Sequence, residues 1–279
     1  MLTKRFSAVL LSGLCLTAQA TQLWSNKGYR SGCDSFNIDN TGTGAVLEST
    51  SEFLESPQSL KAQQTYNSNW GGRYHAECVH NDGYKRGDER FYSFSFRLQQ
   101  NWDFQGAQSY NLAQFIAQLN NKCDDWKPAA MLGIRGNQFY ARRTFGNIEA
   151  DSDCKNENVY HEGLATVTAG VWHTVIIQAK WASDNTGYYK VWYDGTKVVN
   201  DLGKPSTLND NGNRQFRFQV GLYANQWFDS NNQAPPGGQN FRQVWIDELA
   251  IGTTYADVDP AQWARKGKSR VMRAMIDEE

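Results

Sequence analysis

Cysteine, histidine and proline are all scarce in this 279-residue chain, with 5, 4 and 6 copies. Beyond residue 20 there is also no long apolar run, so nothing later than that is expected to cross a membrane as a helix, which needs about 20 apolar residues. The start itself reads as an export signal: Lys4 and Arg5, the apolar stretch Phe6–Leu16, then Ala18-Gln19-Ala20 as a small-x-small cleavage site after Ala20. Neither sign of charge dominates, with 28 basic and 29 acidic side chains. Removing the leader takes Lys4 and Arg5 away, leaving 26 against 29, a net charge of −3 over 259 residues. That balance argues against a nucleic-acid partner, and any site for an anion must be a local positive patch. No CxxC or CxxH spacing occurs, which argues against zinc.

The cysteines that survive cleavage are Cys33, Cys78, Cys123 and Cys154, an even number that suits an oxidising compartment. Of the three possible pairings, Cys33–Cys78 and Cys123–Cys154 are expected, because each closes a moderate loop. Helical periodicity is scarce too. Ser51–Ser56 reads as a turn, Asp259–Ala264 as a short helix, and the basic-then-acidic tail 265–279 as a frayed end. No repeat or linker appears, so 21–279 is expected to be one domain, secreted or periplasmic, and a monomer.

What the chain does have is strands. Aromatics at 13% and 24 glycines accompany alternating segments every ten to twenty residues. The expected strands are Gly44–Glu48, Ser59–Gln63, Arg73–Val79, Phe91–Leu98, Asn111–Gln118, Ala130–Arg135, Gln138–Arg143, Trp172–Trp181, Arg214–Asn225 and Gln243–Ile251. Between Tyr188 and Asn200 a hairpin turns on Asp194-Gly195, a type I′ pair. In Phe91–Leu98, Tyr92, Phe94, Phe96 and Leu98 face in and Ser93, Ser95 and Arg97 out. The fold class is all-β, an antiparallel sandwich of jelly-roll, concanavalin-like type.

Three strands offer polar rows for one face. Along Phe216–Gln226, Phe218, Val220 and Leu222 want a core, while Gln219, Gly221, Tyr223 and Asn225 point the other way. Arg73, His75, Glu77 and Val79 share one side of their strand, and Gln114, Ile116 and Gln118 one side of theirs. A guanidinium, an imidazole, several amides and a phenol on one concave sheet suit β-elimination on a uronic acid. Amides and an arginine can neutralise the carboxylate. A tyrosine can move the proton, with a histidine assisting. The scheme requires no cofactor.

The blocks GGRYHAEC (71–78), GDERFYSFSFRL (87–98), NLAQF (111–115), GVWHTVIIQAKW (170–181), VWYDGTKVV (191–199), FRFQVGLYANQ (216–226) and VWIDELAIG (244–252) resemble the polysaccharide lyases of the heparin-lyase-like and glucuronan-lyase group, nearest to polysaccharide lyase family 20. The resemblance implies a β-jelly roll cleaving acidic polysaccharides by β-elimination. It places Tyr223, in the pattern F-x-x-G-x-Y, as catalytic tyrosine and Gln114 as carboxylate holder, with His75 and Glu77 on the strand that in alginate lyases reads R-x-E. Ile116 stands where alginate lyases have a histidine and Gln219 where they have a lysine, which favours glucuronan over alginate. Asp247 is a candidate ligand for the structural calcium such sandwiches often carry, although the sequence has no compact calcium loop.

The rival readings are a lectin of the same architecture and a glycoside hydrolase, which would need two opposed carboxylates. Glu77 is read as an ion-pair partner of Arg73 or His75 that also helps bind substrate. His80 is the alternative assistant to Tyr223; His161 is expected in solvent and His173 as a cross-strand partner. Arg135, Tyr140, Arg142 and Arg143 form a basic-aromatic cluster suited to a subsite. Trp70, Trp102, Trp126 and Trp227 are candidates for stacking on sugar rings.

Overall fold

The computed structural model describes residues 21–55, 57–121, 123–148, 154–210, 212–228 and 234–262; the expected leader and tail lie outside the described residues. In chain order the strands begin β1 (Gln22–Asn26), β2 (Ser35–Ile38), β3 (Gly44–Ser49), β4 (Ser59–Thr65), β5 (His75–Tyr84), β6 (Glu89–Leu98), β7 (Ser109–Asn121) and β8 (Asp124–Arg135). They continue with β9 (Gln138–Asn147), β10 (Asn156–Thr166), β11 (Trp172–Lys180), β12 (Tyr188–Tyr193), β13 (Thr196–Leu202), β14 (Leu208–Asn209), β15 (Phe216–Tyr223) and β16 (Phe241–Gly252), before the short helix α1 (Tyr255–Val258).

Two sheets result, the jelly-roll sandwich expected from the alternation. The first runs β13-β12-β11-β6-β16-β4-β3 with β1 beside β16, the second β10-β9-β8-β7-β15-β5-β2 with β14 beside β9. Only the β14–β9 pair is parallel among the described strands. The core lies between the sheets. Phe218 of β15 stacks on Phe115 of β7 at 4.9 Å, and Tyr92 of β6 reaches both from the opposite sheet, at 5.6 and 4.7 Å. Trp181 is fully buried, stacked on Tyr84 at 3.8 Å, with its indole N–H donating to the Tyr92 hydroxyl at 2.8 Å. Each such ring contributes roughly 1.5–3 kcal/mol by leaving water, and the indole loses no hydrogen bond in doing so.

Local signals explain most elements. Asp194 and Gly195 take φ of 47° and 79°, the left-handed pair a type I′ turn requires, and the Asp194 carboxylate accepts from Thr174 N at 2.7 Å. Both expected disulfides form. Cys33–Cys78 ties the segment before β2 to β5, and Cys123–Cys154 ties the β7–β8 turn to the approach to β10.

Ser93 and Ser95 face away from the core as expected, yet they are fully buried. Ser95 bonds Thr174 at 2.8 Å and Ser93 donates to the Glu248 carbonyl at 3.2 Å. The outer face of this sheet is covered: Val258 of α1 joins Ile176 and Ala250 in a small second apolar cluster. The helix expected over Asp259–Ala264 is present at 260–262, where the described residues end, and α1 is a separate short helix before it, capped reciprocally by the Thr254 and Asp257 side chains. The edge strands β1, β2 and β10 carry no clean alternation and were not expected.

Candidate active site

Along β15 the outward residues are Arg217, Gln219, Gly221 and Tyr223, on the face turned away from the first sheet. With the neighbouring strands they line a groove of about 620 Å³ whose walls come from β2, β5, β7, β8, β9, β10 and β15. Gly221 is required there by a close approach: a Cβ on it would sit 2.2 Å from the Ala76 carbonyl oxygen.

The centre of the groove is a stack. His75 and Tyr223 face each other directly across β5 and β15, their rings 3.7 Å apart and 25° from parallel. Asp39, beyond the end of β2, accepts from the His75 backbone N–H at 2.9 Å and contacts Nδ1 at 2.6 Å. Burial works to raise the Asp39 carboxyl, but the hydrogen bonds and attraction of His75, with Arg73 further off, outweigh it and hold the pKa below the ordinary value. That bond pins the imidazole, leaving Nε2 4.0 Å from Glu77 Oε2.

Below the floor lies a network of amides. Glu77 is fully buried and does not line the groove, so it cannot touch substrate as expected. Its carboxylate accepts from Gln114 Nε2 at 2.8 and 2.9 Å and from Asn37 Nδ2 at 3.0 Å. Burial pushes its pKa up, against the pull of His75 and these two donors. The same nitrogens of Gln114 and Asn37 also reach Gln219 Oε1, each at 3.2 Å. Gln114 lines the groove as expected, but its NH₂ is engaged in this network.

The walls are basic. Arg73, Lys127, Arg135, Arg142 and Arg217 line the groove, while Asp39 is the one acid among the described lining residues. Arg142 has a buried Nε with no hydrogen-bond partner. Arg135 pairs with Glu162 and lies 5.7 Å over the Tyr140 ring. Tyr140 is buried to 4% exposure, donates to Asn111 Oδ1 and bonds Ser109 at 3.2 Å. Its burial raises the phenol's pKa, so it is a neutral wall. Asn225 donates to Ser109 at 3.4 Å and keeps a buried, unpartnered Oδ1.

Other expected residues lie elsewhere. Gln118 is exposed and lines only a shallower depression of about 460 Å³ beyond the groove, two register shifts along the β7–β8 pairing from Asn111. Arg143 is buried against Asp201 at 2.8 Å, where His161 also sits at 3.0 Å instead of in solvent. His80 stacks on Trp24 at 4.3 Å and faces Asp34, outside the groove, so it does not assist Tyr223. His173 is held by Asp194 at 2.8 Å, as a cross-strand partner. Among the four tryptophans only Trp126 lines the groove; Trp102 and Trp227 are core, and Trp70 donates to the Arg73 carbonyl at 2.8 Å. Asp247 is buried in β16, its oxygens accepting from Leu54 N at 2.8 Å and Glu248 N at 2.9 Å. Calcium wants six to eight oxygens. Asp247 caps two backbone amides instead, and no cluster of three acidic, histidine or cysteine side chains gathers among the described residues; the donor set does not fit the expected ion. Asp39, Asn37 and Asn111 were missed by the sequence: two sit on or beyond an edge strand, and Asn111 beside a bulge that breaks the alternation.

Comparison with known proteins bears on this geometry. The profile of the family described as "Polysaccharide lyase" matches residues 25–250. Curated proteins gave no match. Among solved structures, the endo-beta-1,4-glucuronan lyase from the fungus Trichoderma reesei is 46% identical with a TM-score of 0.80, the match covering 87% of this chain and 100% of that one. A marine alginate lyase from Aplysia kurodai aligns over 83% of this chain and 99% of its own at 12% identity and a TM-score of 0.54, a likeness of fold alone. With that profile spanning most of its length, over a basic groove built round a tyrosine and a histidine, the chain belongs to the polysaccharide lyase family.

Proposed function

We propose that the protein is a secreted lyase that cleaves a glucuronic-acid-rich polymer, glucuronan or a near relative, by β-elimination, leaving 4,5-unsaturated uronate ends. The observation that carries this is Tyr223 stacked on an Asp39-held His75 in a groove with five basic side chains and one acid. The glucuronan lyase likeness supports the choice of polymer, and the two disulfides support export.

The chemistry follows from the atoms. Tyr223 takes the proton from C5, the freed electron pair forms C4=C5, and the C4–O4 bond breaks. In a gluco-configured unit H5 and O4 lie on the same face of the ring, so the same phenol can return the proton to O4. The developing charge beside the carboxylate must be met by fixed donors, each typically worth about 3 kcal/mol. Gln219 and Arg142, whose Nε has no hydrogen-bond partner, are the groups placed to supply them. His75 supports the phenol through its ring face. A hydrolase would need a second carboxylate across the groove, and Asp39 is already bonded to His75.

The test is a panel of acidic polysaccharides incubated with the purified protein while the ultraviolet absorbance of the unsaturated product is followed. Growth of that band on glucuronan is expected. Binding without any band across the panel and a broad pH range would make the protein a lectin.

A further inference from the structure

A terminal amide can face either way, and its surroundings decide which end meets a ligand. At Gln219 the decision is made by a carboxylate that substrate never touches. Every polar contact of Glu77 among the described residues is to nitrogen: Gln114 Nε2 at 2.8 and 2.9 Å, Asn37 Nδ2 at 3.0 Å, and His75 Nε2 at 4.0 Å. Both amides thus present their NH₂ ends to the oxygens of Glu77. The remaining hydrogens of Gln114 and Asn37 then reach Gln219 Oε1, both at 3.2 Å. With its oxygen held twice, Gln219 has its NH₂ left for the groove it lines. Gly221 makes the crossing possible. It pairs with Glu77 across β15 and β5, and it puts no side chain between Gln114 on β7 and Glu77 on β5.

We propose that Glu77, acting through Gln114 and Asn37, fixes Gln219 as an amide donor aimed into the groove, where it holds the carboxylate of a uronate unit. The proposal rests on the polyuronate reading of the groove. Glu77, Gln114 and Asn37 are positioning residues; Gln219 is the group that touches the sugar. The arrangement also discriminates, because a neutral hexose in the same place offers this donor no charge.

A double-mutant cycle tests it, read by calorimetric Kd for a short glucuronate oligosaccharide on a Tyr223→Phe background, where the ligand stays uncleaved. Gln219→Ala should weaken binding about ten- to a hundredfold, the range of a hydrogen bond to a charged group. Glu77→Gln and Asn37→Ala should each weaken it by a comparable factor. Either one combined with Gln219→Ala should bind no worse than Gln219→Ala alone, because all act through one contact. The carboxyl-reduced oligosaccharide should bind all variants alike. Losses that multiply in the double variants overturn the relay, as does equal sensitivity of the carboxyl-reduced ligand. Asn37 is only partly buried, so its arm stays readable should Glu77→Gln fail to fold. A wild-type protein that makes no unsaturated product while the cycle behaves as expected defeats the lyase reading and leaves the relay standing.

Discussion

Tyr223 is asked to do the chemistry, and one atom decides whether it does. Tyr223→Phe removes the hydroxyl and keeps the ring that stacks on His75 at 3.7 Å. The kcat should fall at least about a hundredfold with little change in polymer Kd, since acid–base catalysis commonly supplies 10²–10⁴; retention of a third of the wild-type kcat would move the active site elsewhere. His75→Ala should lower kcat less, because its Nδ1 is committed to Asp39; an equal loss would make the imidazole a partner in proton transfer. Glu248 is the residue whose charge works against the fold. It takes φ 51° at a bulge in β16, its two oxygens are buried without hydrogen-bond partners, and Lys27 approaches to 3.6 Å. Burial, opposed by Lys27, raises its pKa from 4.5 to about 7. A carboxyl with a higher pKa in the fold than in the unfolded chain binds its proton more tightly when folded. The stability this gives is whole below the unfolded value and is lost as pH rises through about 7. Glu248→Gln should therefore change the melting temperature little near pH 4, yet stabilise by roughly 1–3 kcal/mol at about pH 8, the range for a buried polar group left unpaired. Equal effects at both pH values would exclude the charge as the cause.

Period-two alternation made β15, β6 and β11 readable, because a strand with one buried face must alternate and nothing else in these stretches competes. It could not reveal β2, an edge strand of four residues, or β10, whose residues are half-buried or exposed. Nor could it place Asn111 or foresee that Gln118 leaves the floor, since register shifts in β7–β8 break the period. The polar row on β15 was visible, but its logic was not: Glu77 reads as an ion-pair partner of Arg73 or His75 that helps bind substrate, yet it is fully buried, and the donors that satisfy it come from β2 and β7. Gly221 shows how one position couples these strands. A methyl there would lie 2.2 Å from the Ala76 carbonyl and 2.6 Å from Glu77 Cα, both backbone atoms that cannot turn aside. Gly221→Ala should push β15 from β5, costing about 1–3 kcal/mol by overpacking and lowering kcat as the stack of Tyr223 on His75 loosens. Thermal unfolding together with initial rates checks it; unchanged values of both would mean the strands yield freely and the close approach has no role.

Taken as a whole, the molecule is nearly neutral, 28 basic against 29 acidic side chains, yet its groove is not. Concentrating positive side chains on one face raises the local concentration of a polyanion without the bulk charge that would draw nucleic acid. The face is also long. Arg217 and Tyr223 sit six residues apart on the same side of β15, about 20 Å at 3.3 Å per residue. At the far end Arg217 lies 4.7 Å over the Trp126 ring, and this pair lines both the groove and the shallower depression next to it. A polymer cleaved at Tyr223 therefore still has an arginine and an indole to meet some 20 Å from the reacting bond, by the same strand rise. A contact that binds substrate and transition state equally acts on KM and not on kcat, and that is the behaviour expected of one so far from the reacting bond. Trp126→Ala should raise KM for long chains several-fold, the loss of one aromatic and cation–π contact at about 0.5–1 kcal/mol or more, and leave kcat unchanged. On the shortest oligosaccharide that is still cleaved, the variant and the wild type should have the same KM, because that ligand ends before the indole. Steady-state rates across a ladder of chain lengths decide the matter: a KM increase independent of length would mean that Trp126 shapes the reacting subsite, and no increase at any length would mean that the polymer leaves the face before reaching Arg217.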